Sequence, residues 1–218
     1  WYGHVRRGWR VGRGRTLIVA TDDPAIKPSP WRVESSRPGH SDQFLSHRMD
    51  RCITERGQVL DPYHVLDLKD WCHVVALTPD GRLVIIEEYR HGSRRVERGL
   101  PGGTVDPGED ALTAMRRELT EETAYVAPDW ITISTVRPNP ALQSNRVTNF
   151  LALDAVPSGE RSLDLGETID VFTMAPAEAF AQAMAGDPIG HAMHVMGLLV
   201  AREYARTHLA EDPRLAPL

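Results

Sequence analysis

Residues 103–125 constrain the fold of this chain more than any other stretch of its sequence. The stretch opens with turn formers, including the Pro-Gly pair at 107–108, and residues 111–123 contain neither Gly nor Pro. Ala, Leu, Met, Arg and Glu, which dominate this run, favour helix. The sequence therefore predicts a loop followed by a helix that begins at Glu109 and Asp110, where negative charge suits the helix dipole.

The predicted helix carries an apolar stripe beside a cluster of carboxylates. The stripe has spacings of three and four and consists of Leu112, Met115 and Leu119. Glu118, Glu121 and Glu122 share the neighbouring face, at a cost of about 0.2–0.5 kcal/mol for each like-charged pair. Desolvation at the edge of a core adds to that cost. One interpretation is that the carboxylates form a solvated charged face. The alternative is that their repulsion is compensated by Arg116, Arg117 and a hard divalent cation, Mg2+ or Mn2+.

Composition excludes several classes of protein. The chain has 218 residues, a hydrophobic share of 41%, a charged share of 25% and a net charge of −5. This charge does not suit a nucleic-acid binder, and no apolar run approaches the roughly 20 residues of a membrane span. Cys52 and Cys72 are too few for a disulfide framework, so we expect reduced thiols in a cytoplasmic protein.

The chain divides into two predicted units, an N-terminal arm with a small β-unit (residues 1–69) and a main domain (residues 70–218). The first residues are basic without a signal pattern and predict a mobile arm or leader, or alternatively an anion-binding tail. Prolines argue against helix in residues 21–43. A short strand is expected from Trp31, and two more at 44–52 and 58–68 around a turn.

The main domain alternates strands and helices. Strands are predicted at 71–77, 82–89, 130–136, 146–153 and 168–173, helices after 109, at 176–185 and at 189–208, and a loop at 90–103. A hairpin turn at 78–81 joins the first two strands. Elements in this order predict an α/β fold in which a mixed sheet packs between helices.

The spacing of the central stretch has a further meaning. It reads Gly103, five residues, Glu109, seven residues, Arg117-Glu118, and then a Glu-Glu pair at 121–122. This pattern resembles the signature of the Nudix hydrolases, with Ala124 where the signature has Gly. Residues 88–92, residues 100–103 and the small β-unit look most like the branch of ADP-ribose and nucleoside-diphosphate-sugar pyrophosphatases.

The resemblance implies a fold and an activity. The fold would be a Nudix-type α/β/α sandwich with a mixed sheet, dimerising through its N-terminal strands. The activity would be metal-assisted attack of water on a nucleoside diphosphate linked to another moiety, such as ADP-ribose or a nucleotide sugar. The alternatives are a nucleoside triphosphate or dinucleoside polyphosphate hydrolase, and a Nudix-fold module that binds a nucleotide sugar without cleaving it.

The resemblance also implies the metal site. Glu118 and Glu122 match the main metal ligands, and the carbonyl of Gly102 matches a backbone ligand. Glu121 matches a further ligand or the group that activates water. Glu167, which precedes the last predicted strand, matches an acid that binds metal or acts as the base.

Other residues of the motif would support this site rather than react. Gly103 is the fixed glycine that opens the motif, and Glu109 and Arg117 match a pair that orients the loop and the helix. Two positions depart from the ADP-ribose branch: Gly99 stands where Glu is frequent, and Leu165 where a second Glu can occur.

Substrate contacts are predicted on two loops. Arg90 and Arg98 could bind phosphate through their guanidinium groups, although a solvated basic loop would look the same. Residues 138–145 follow a strand, and their Ser144 and Asn145 could hydrogen-bond a sugar or base. A connecting turn explains these two residues nearly as well.

Two further expectations concern helix ends and histidines. Ala124 lacks the conformational freedom of glycine, so we expect the central helix to end at a shifted position. His191 and His194 lie on one face of the last helix among apolar residues, which indicates packed histidines rather than a metal site. His73 lies in a strand that reads as buried, and is expected in the core.

Overall fold

The computed structural model describes residues 26–163, residue 166 and residues 168–218. The predictions for the N-terminal arm, and those for Leu165 and Glu167, fall on residues outside this part. The strands are β1 (Arg32–Ser41), β2 (Leu45–Ile53), β3 (Val59–Leu68), β4 (Trp71–Leu77), β5 (Leu83–Arg90), β6 (Arg95–Gly99), β7 (Gly102–Thr104), β8 (Tyr125–Val126), β9 (Asp129–Val136), β10 (Val147–Leu153), β11 (Val156–Pro157) and β12 (Ile169–Met174). The helices are α1 (Ala111–Thr123), α2 (Pro176–Ala185) and α3 (Ala192–His208), followed by a 3-10 turn at Pro213–Leu215.

The small N-terminal β-unit is an antiparallel sheet in the order β1-β2-β3. Strand β1 is longer than the short strand expected from Trp31, and it includes Pro38. Proline is tolerated there because β1 is the outer strand, where one side of the backbone needs no partner. All ten residues of β1 are exposed.

The larger sheet has the order β12-β5-β4-β10-β9, with β6 paired to β5 and β7 paired to β4. Strands β4 and β10 run parallel and the other pairs are antiparallel, so the sheet is mixed as predicted. Strand β4 pairs with β5 only at Leu77 and Leu83. At its other end β4 pairs with β7, through Trp71, Cys72 and His73. One edge of β4 is therefore divided between β5 and β7.

Helices cover both faces of this sheet, because successive side chains of a strand point to opposite sides. One face packs against α1, in a cluster that includes Val74, Ala76, Met115, Leu119 and Phe150. The other face packs against α2 and α3, in a cluster that includes Val75, Ile85, Leu151, Phe180 and Leu198. The α/β/α sandwich is therefore confirmed. In the described residues, no helix is both long and apolar enough to cross a membrane.

Helix α1 begins at Ala111, just after the predicted start at Glu109 and Asp110, and the prediction of a shifted end at Ala124 is wrong. Asp110 is the N-cap, because its carboxylate accepts hydrogen bonds from the amides of Leu112 and Thr113 at 3.0 and 3.1 Å. Ala124 ends the helix in the left-handed region, with φ 57° and ψ 23°. Its carbonyl accepts a 2.7 Å bond from the amide of Ser158, so tertiary contacts hold a conformation that alanine disfavours.

Two other boundaries differ from the predictions. The predicted loop 90–103 contains strand β6 and the start of β7, and a turn in which Arg94 has φ 58° joins β6 to β5. Helix α3 begins at Ala192 rather than at Ile189. Both differences matter for the site, because β7 and the first residues of α3 line the same cleft.

Candidate active site

A cleft of about 950 Å3 opens where β4, β5, β6, β7, α1 and α3 meet. Its walls carry charged and aromatic side chains from these elements, and also residues from the N-terminal sheet. The lining includes Phe44, Lys69, Trp71, His73, Glu88, Arg90, Glu97, Gly102, Gly103, Arg117, Glu118, Glu122 and His191. A volume of this order accommodates a nucleotide-sized ligand.

Two carboxylates of α1 reach this cleft at the predicted positions. Glu122 is only 6% exposed, and its Oε2 accepts a 2.9 Å hydrogen bond from the amide of Gly102. Glu118, one helical turn earlier, lies against Gly103. A Cβ atom on Gly103 would stand 2.3 Å from Cδ of Glu118, so the absence of a side chain at this position makes room for the carboxylate.

Arg117 holds the loop and the helix together, as its motif position implies. Its guanidinium donates to Glu109, Glu118 and Glu121 at 2.9–3.4 Å, and to the carbonyl of Thr104 at 3.3 Å. The hydrogen bonds with Glu109 raise the pKa of Arg117 above its ordinary value, so the cation is permanent. This charge offsets part of the repulsion among the clustered carboxylates.

The donor atoms at this end of the cleft suit a hard divalent cation. Glu118 and Glu122 supply carboxylate oxygens beside the backbone of Gly102, and such oxygens are the ligands that Mg2+ and Mn2+ prefer. With the side chains as they stand in the described residues, no group of three or more His, Cys, Asp or Glu is arranged to hold a metal. Glu118 is bound by Arg117 instead. Glu118, Glu122 and the backbone of Gly102 nevertheless fit a divalent cation by the chemistry of their oxygen atoms.

The other predicted acids stand apart from this pair. Glu121 bonds Arg117 at 3.1 Å, its side chain is 40% exposed, and it is not among the residues that line the cleft. Glu167 lies outside the described residues. Their predicted roles as metal ligand or base stay predictions.

The structure separates the two predicted arginines. Arg90, at the end of β5, lines the cleft and forms an ion pair with Glu88. Arg98, on β6, is not part of the lining. Its Nε donates to Glu87 at 2.7 Å and its guanidinium lies 5.1 Å from the ring centre of Phe172. These contacts give Arg98 a structural role between β5 and β12. Its contact with substrate stays a prediction.

Residues 138–145 join the two sheets. The hydroxyl of Tyr63 donates to the carbonyl of Ala141 at 2.6 Å, and the amide of Ser144 donates to the carbonyl of Leu66 at 3.1 Å. Asn145 is buried and donates to the carbonyl of Lys69 at 3.1 Å. Neither Ser144 nor Asn145 lines the cleft, so their predicted substrate contacts have no geometric support here.

Sequence reasoning missed that three histidines meet at the wall of the cleft. His73 on β4 and His194 on α3 are buried, as predicted, with perpendicular rings 4.5 Å apart. His191, which precedes α3, lies 4.4 Å from the ring of His194 and lines the cleft. Burial lowers the pKa of His73 to about 3, and that of His194 well below its ordinary value. Burial also lowers the pKa of His191, so all three histidines favour the neutral form near pH 7.

Comparisons with known proteins agree with this geometry. A model of the NUDIX domain matches residues 70–193, which is more than half of the chain. The ADP-ribose pyrophosphatase of Bacillus subtilis (strain 168) is 29% identical over 107 residues, covering 49% of this chain and 58% of that protein. The ADP compounds hydrolase NudE of Escherichia coli (strain K12) is 29% identical over 128 residues, covering 58% of this chain and 67% of that protein.

A solved structure supports the fold. The crystal structure of an ADP compounds hydrolase superposes with a TM-score of 0.72, covering 84% of this chain and 97% of that one. Its identity to this chain is 19%, so it speaks for the architecture alone. The aligned stretch spans little more than half of the Bacillus subtilis relative.

Proposed function

The chain belongs to the NUDIX domain family, and we propose that it is a pyrophosphohydrolase that depends on a divalent metal. Its substrate is a nucleoside diphosphate joined to another moiety, such as ADP-ribose or a nucleotide sugar. The products are a nucleoside monophosphate and a sugar phosphate. The two relatives named for hydrolysis of ADP-ribose and ADP compounds support this choice over a nucleoside triphosphate or dinucleoside polyphosphate.

One observation carries the proposal. Glu118 and Glu122 face a large cleft, beside the backbone of Gly102 and Gly103, and basic side chains line other parts of the same cleft. A diphosphate is anionic, so carboxylates at its binding site require a cation between them and the substrate. Glu118, Glu122 and the carbonyl of Gly102 would hold Mg2+ or Mn2+.

The reaction is the attack of water on one phosphorus, with cleavage of the bridging P–O bond. A bound divalent cation lowers the pKa of a bound water and polarises a phosphoryl oxygen. Arg90 and Lys69 both line the cleft and are placed to bind phosphate oxygens. The attacking water gives its proton to a carboxylate, for which Glu121 and Glu167 are the proposed candidates.

The cleft also offers surfaces for the nucleoside. Trp71 and Phe44 line it, and the ring of Phe44 is 72% exposed. An aromatic side chain in such a place can stack on a base. Phe44 lies in the turn between β1 and β2, so we propose that the N-terminal β-unit contributes to substrate recognition.

A substrate panel tests the proposed function. We expect ADP-ribose and other nucleotide sugars to be hydrolysed in the presence of Mg2+ or Mn2+, with a nucleoside monophosphate among the products. Chelation of the metal should abolish turnover. Chromatography that resolves the phosphorylated products gives the measurement. Preferential cleavage of nucleoside triphosphates would contradict the proposed substrate, and tight binding without cleavage would indicate a binding module.

We also propose that the chain forms a homodimer through its N-terminal sheet. In the part of the chain that the structure describes, β1 is the outer strand of its sheet; all ten of its residues are exposed, and its Val33 is 53% exposed. An exposed edge of this length is suited to contact with a second copy.

Light scattering after size exclusion tests the dimer. We expect a mass of about twice the 24.3 kDa of one chain. Val33→Glu should shift the protein to the monomer, because it places a charge in the proposed contact. Val156→Glu is the matched control, since Val156 is similarly exposed (42%) but lies on β11. A monomeric wild-type protein at micromolar concentration would contradict the proposal.

A further inference from the structure

We propose that His194, a residue of α3 that does not line the cleft, is a positioning residue for the proposed metal site. It fixes the backbone of residues 99–102, and through that backbone the carboxylate of Glu122. The inference rests on the proposed function for its consequence in catalysis, but its structural part can be tested separately.

The first contact is a hydrogen bond to the backbone. The amide of Leu100 donates to Nδ1 of His194 at 3.3 Å, between two residues that are 1% and 3% exposed. Leu100 lies between β6 and β7, and among the described residues no backbone carbonyl accepts its amide. The ring nitrogen therefore satisfies a buried donor that would otherwise be costly.

The second contact is steric. A Cβ atom on Gly99 would stand 2.0 Å from Nδ1 of His194 and 2.4 Å from its Cε1. The φ of Gly99 is not in the left-handed region, so any side chain could adopt this backbone. Glycine is needed here because the imidazole occupies the space. The presence of glycine at position 99, where Glu is frequent in the ADP-ribose branch, is thus explained by the histidine at position 194 on α3.

Neighbouring contacts extend this support along the segment. Gly197, one turn after His194, lets α3 approach Leu100, because a Cβ there would stand 3.1 Å from its Cδ1. His73 packs its ring against that of His194 and also abuts Gly102, whose Cβ would be 2.4 Å from Cδ2 of His73. Contacts with His194 at Gly99 and with His73 at Gly102 therefore hold both ends of the segment 99–102 in place.

The segment in turn reaches the proposed metal ligands. The amide of Gly102 donates to Oε2 of Glu122, and its carbonyl is itself a proposed ligand. The carbonyl of Pro101 accepts a 3.0 Å bond from the amide of Val74, which attaches the segment to β4. A shift of the backbone at Leu100 would move both groups, so His194 acts on the site without touching it.

Two substitutions separate positioning from packing. Oδ1 of asparagine is bonded to Cγ, as Nδ1 of histidine is, so His194→Asn retains an acceptor near the amide of Leu100. His194→Leu fills the space with an apolar side chain but leaves that amide unsatisfied. A role in core packing alone would make the leucine variant the better of the two, because apolar side chains gain more from burial.

The measurement is the binding of Mn2+ to the protein without substrate, followed by electron paramagnetic resonance. We expect His194→Asn to bind Mn2+ within about threefold of wild type, and His194→Leu to bind about tenfold more weakly. Hydrogen exchange of the peptide that contains Leu100 should be slow in the wild type and the asparagine variant and fast in the leucine variant. Equal exchange and equal Mn2+ affinity in both variants would overturn the proposal.

One further variant covers the case in which His194→Leu does not fold. Gly99→Ala keeps the histidine, but its added Cβ meets Nδ1 and Cε1 of the ring, so it should weaken Mn2+ binding. Mn2+ affinity equal to that of the wild type in Gly99→Ala overturns the steric argument. If the wild type neither binds Mn2+ nor cleaves any substrate of the panel, the proposed function is wrong. Hydrogen exchange then still decides whether His194 positions residues 99–102.

Discussion

Replacing Glu122 with glutamine is expected to lower kcat by about a hundredfold or more, even at saturating Mg2+. Glutamine has the volume of glutamate and keeps an oxygen that can accept the hydrogen bond from the amide of Gly102. It removes the negative charge of a side chain that is only 6% exposed. The neutral amide is easier to bury than the carboxylate, so the fold should be retained.

The measurement is kcat over a wide range of Mg2+ concentration, with thermal unfolding as a check on the fold. Glu178→Gln is the matched control, because Glu178 is an exposed residue in the first turn of α2. It should leave kcat unchanged. Turnover near that of the wild type for Glu122→Gln would show that Glu122 does not hold the metal.

The sequence predicts the layers of the fold because the signals there are local. The apolar stripe of α1 and the β-branched runs of β4 and β5 each specify which face is buried. The same local geometry explains why Glu118 and Glu122 both line the cleft, since residues four apart on a helix are neighbours. Contacts set by helical spacing need no knowledge of the rest of the chain.

Non-local contacts account for what the sequence could not give. The position of Ser144 depends on β3, and that of Arg98 on Glu87 and Phe172 of neighbouring strands. The bond between Leu100 and His194 joins residues 94 positions apart. No periodicity predicts such a pairing, although a glycine where Glu is frequent was a signal that something else fills the space.

Ala124 is a single residue whose conformation is likewise set by non-local contacts. Intrinsic preference argues against the left-handed conformation for alanine, at a cost of roughly 1–2 kcal/mol. Pairing of β8 with β11 fixes the chain just after the helix, and the amide of Ser158 binds the Ala124 carbonyl. These contacts offset the local cost, so α1 ends where a glycine would have ended it.

Gly103→Ala is expected to reduce kcat by about a hundredfold while leaving the fold nearly as stable as the wild type. The new Cβ would meet the carboxyl group of Glu118 at 2.3–2.5 Å. That group is the end of a flexible side chain, so it can swing aside at little cost to stability. The displaced carboxylate would no longer face the cleft as it does in the wild type, and metal binding should weaken with turnover.

Comparison with two other glycines makes this prediction specific. Gly102→Ala would bring its Cβ to 2.3 Å from the backbone carbonyl of Cys72, which cannot swing aside, so this variant should lose stability as well as activity. Gly92→Ala is the control, since Gly92 lines the cleft, has no atom within 4 Å of the added Cβ and is not left-handed. Thermal unfolding, Mn2+ affinity and kcat should be measured for all three variants. If Gly103→Ala retains wild-type kcat, the close contact of Gly103 with Glu118 has no part in catalysis. If it loses activity only by unfolding, Gly103 serves the fold rather than the site.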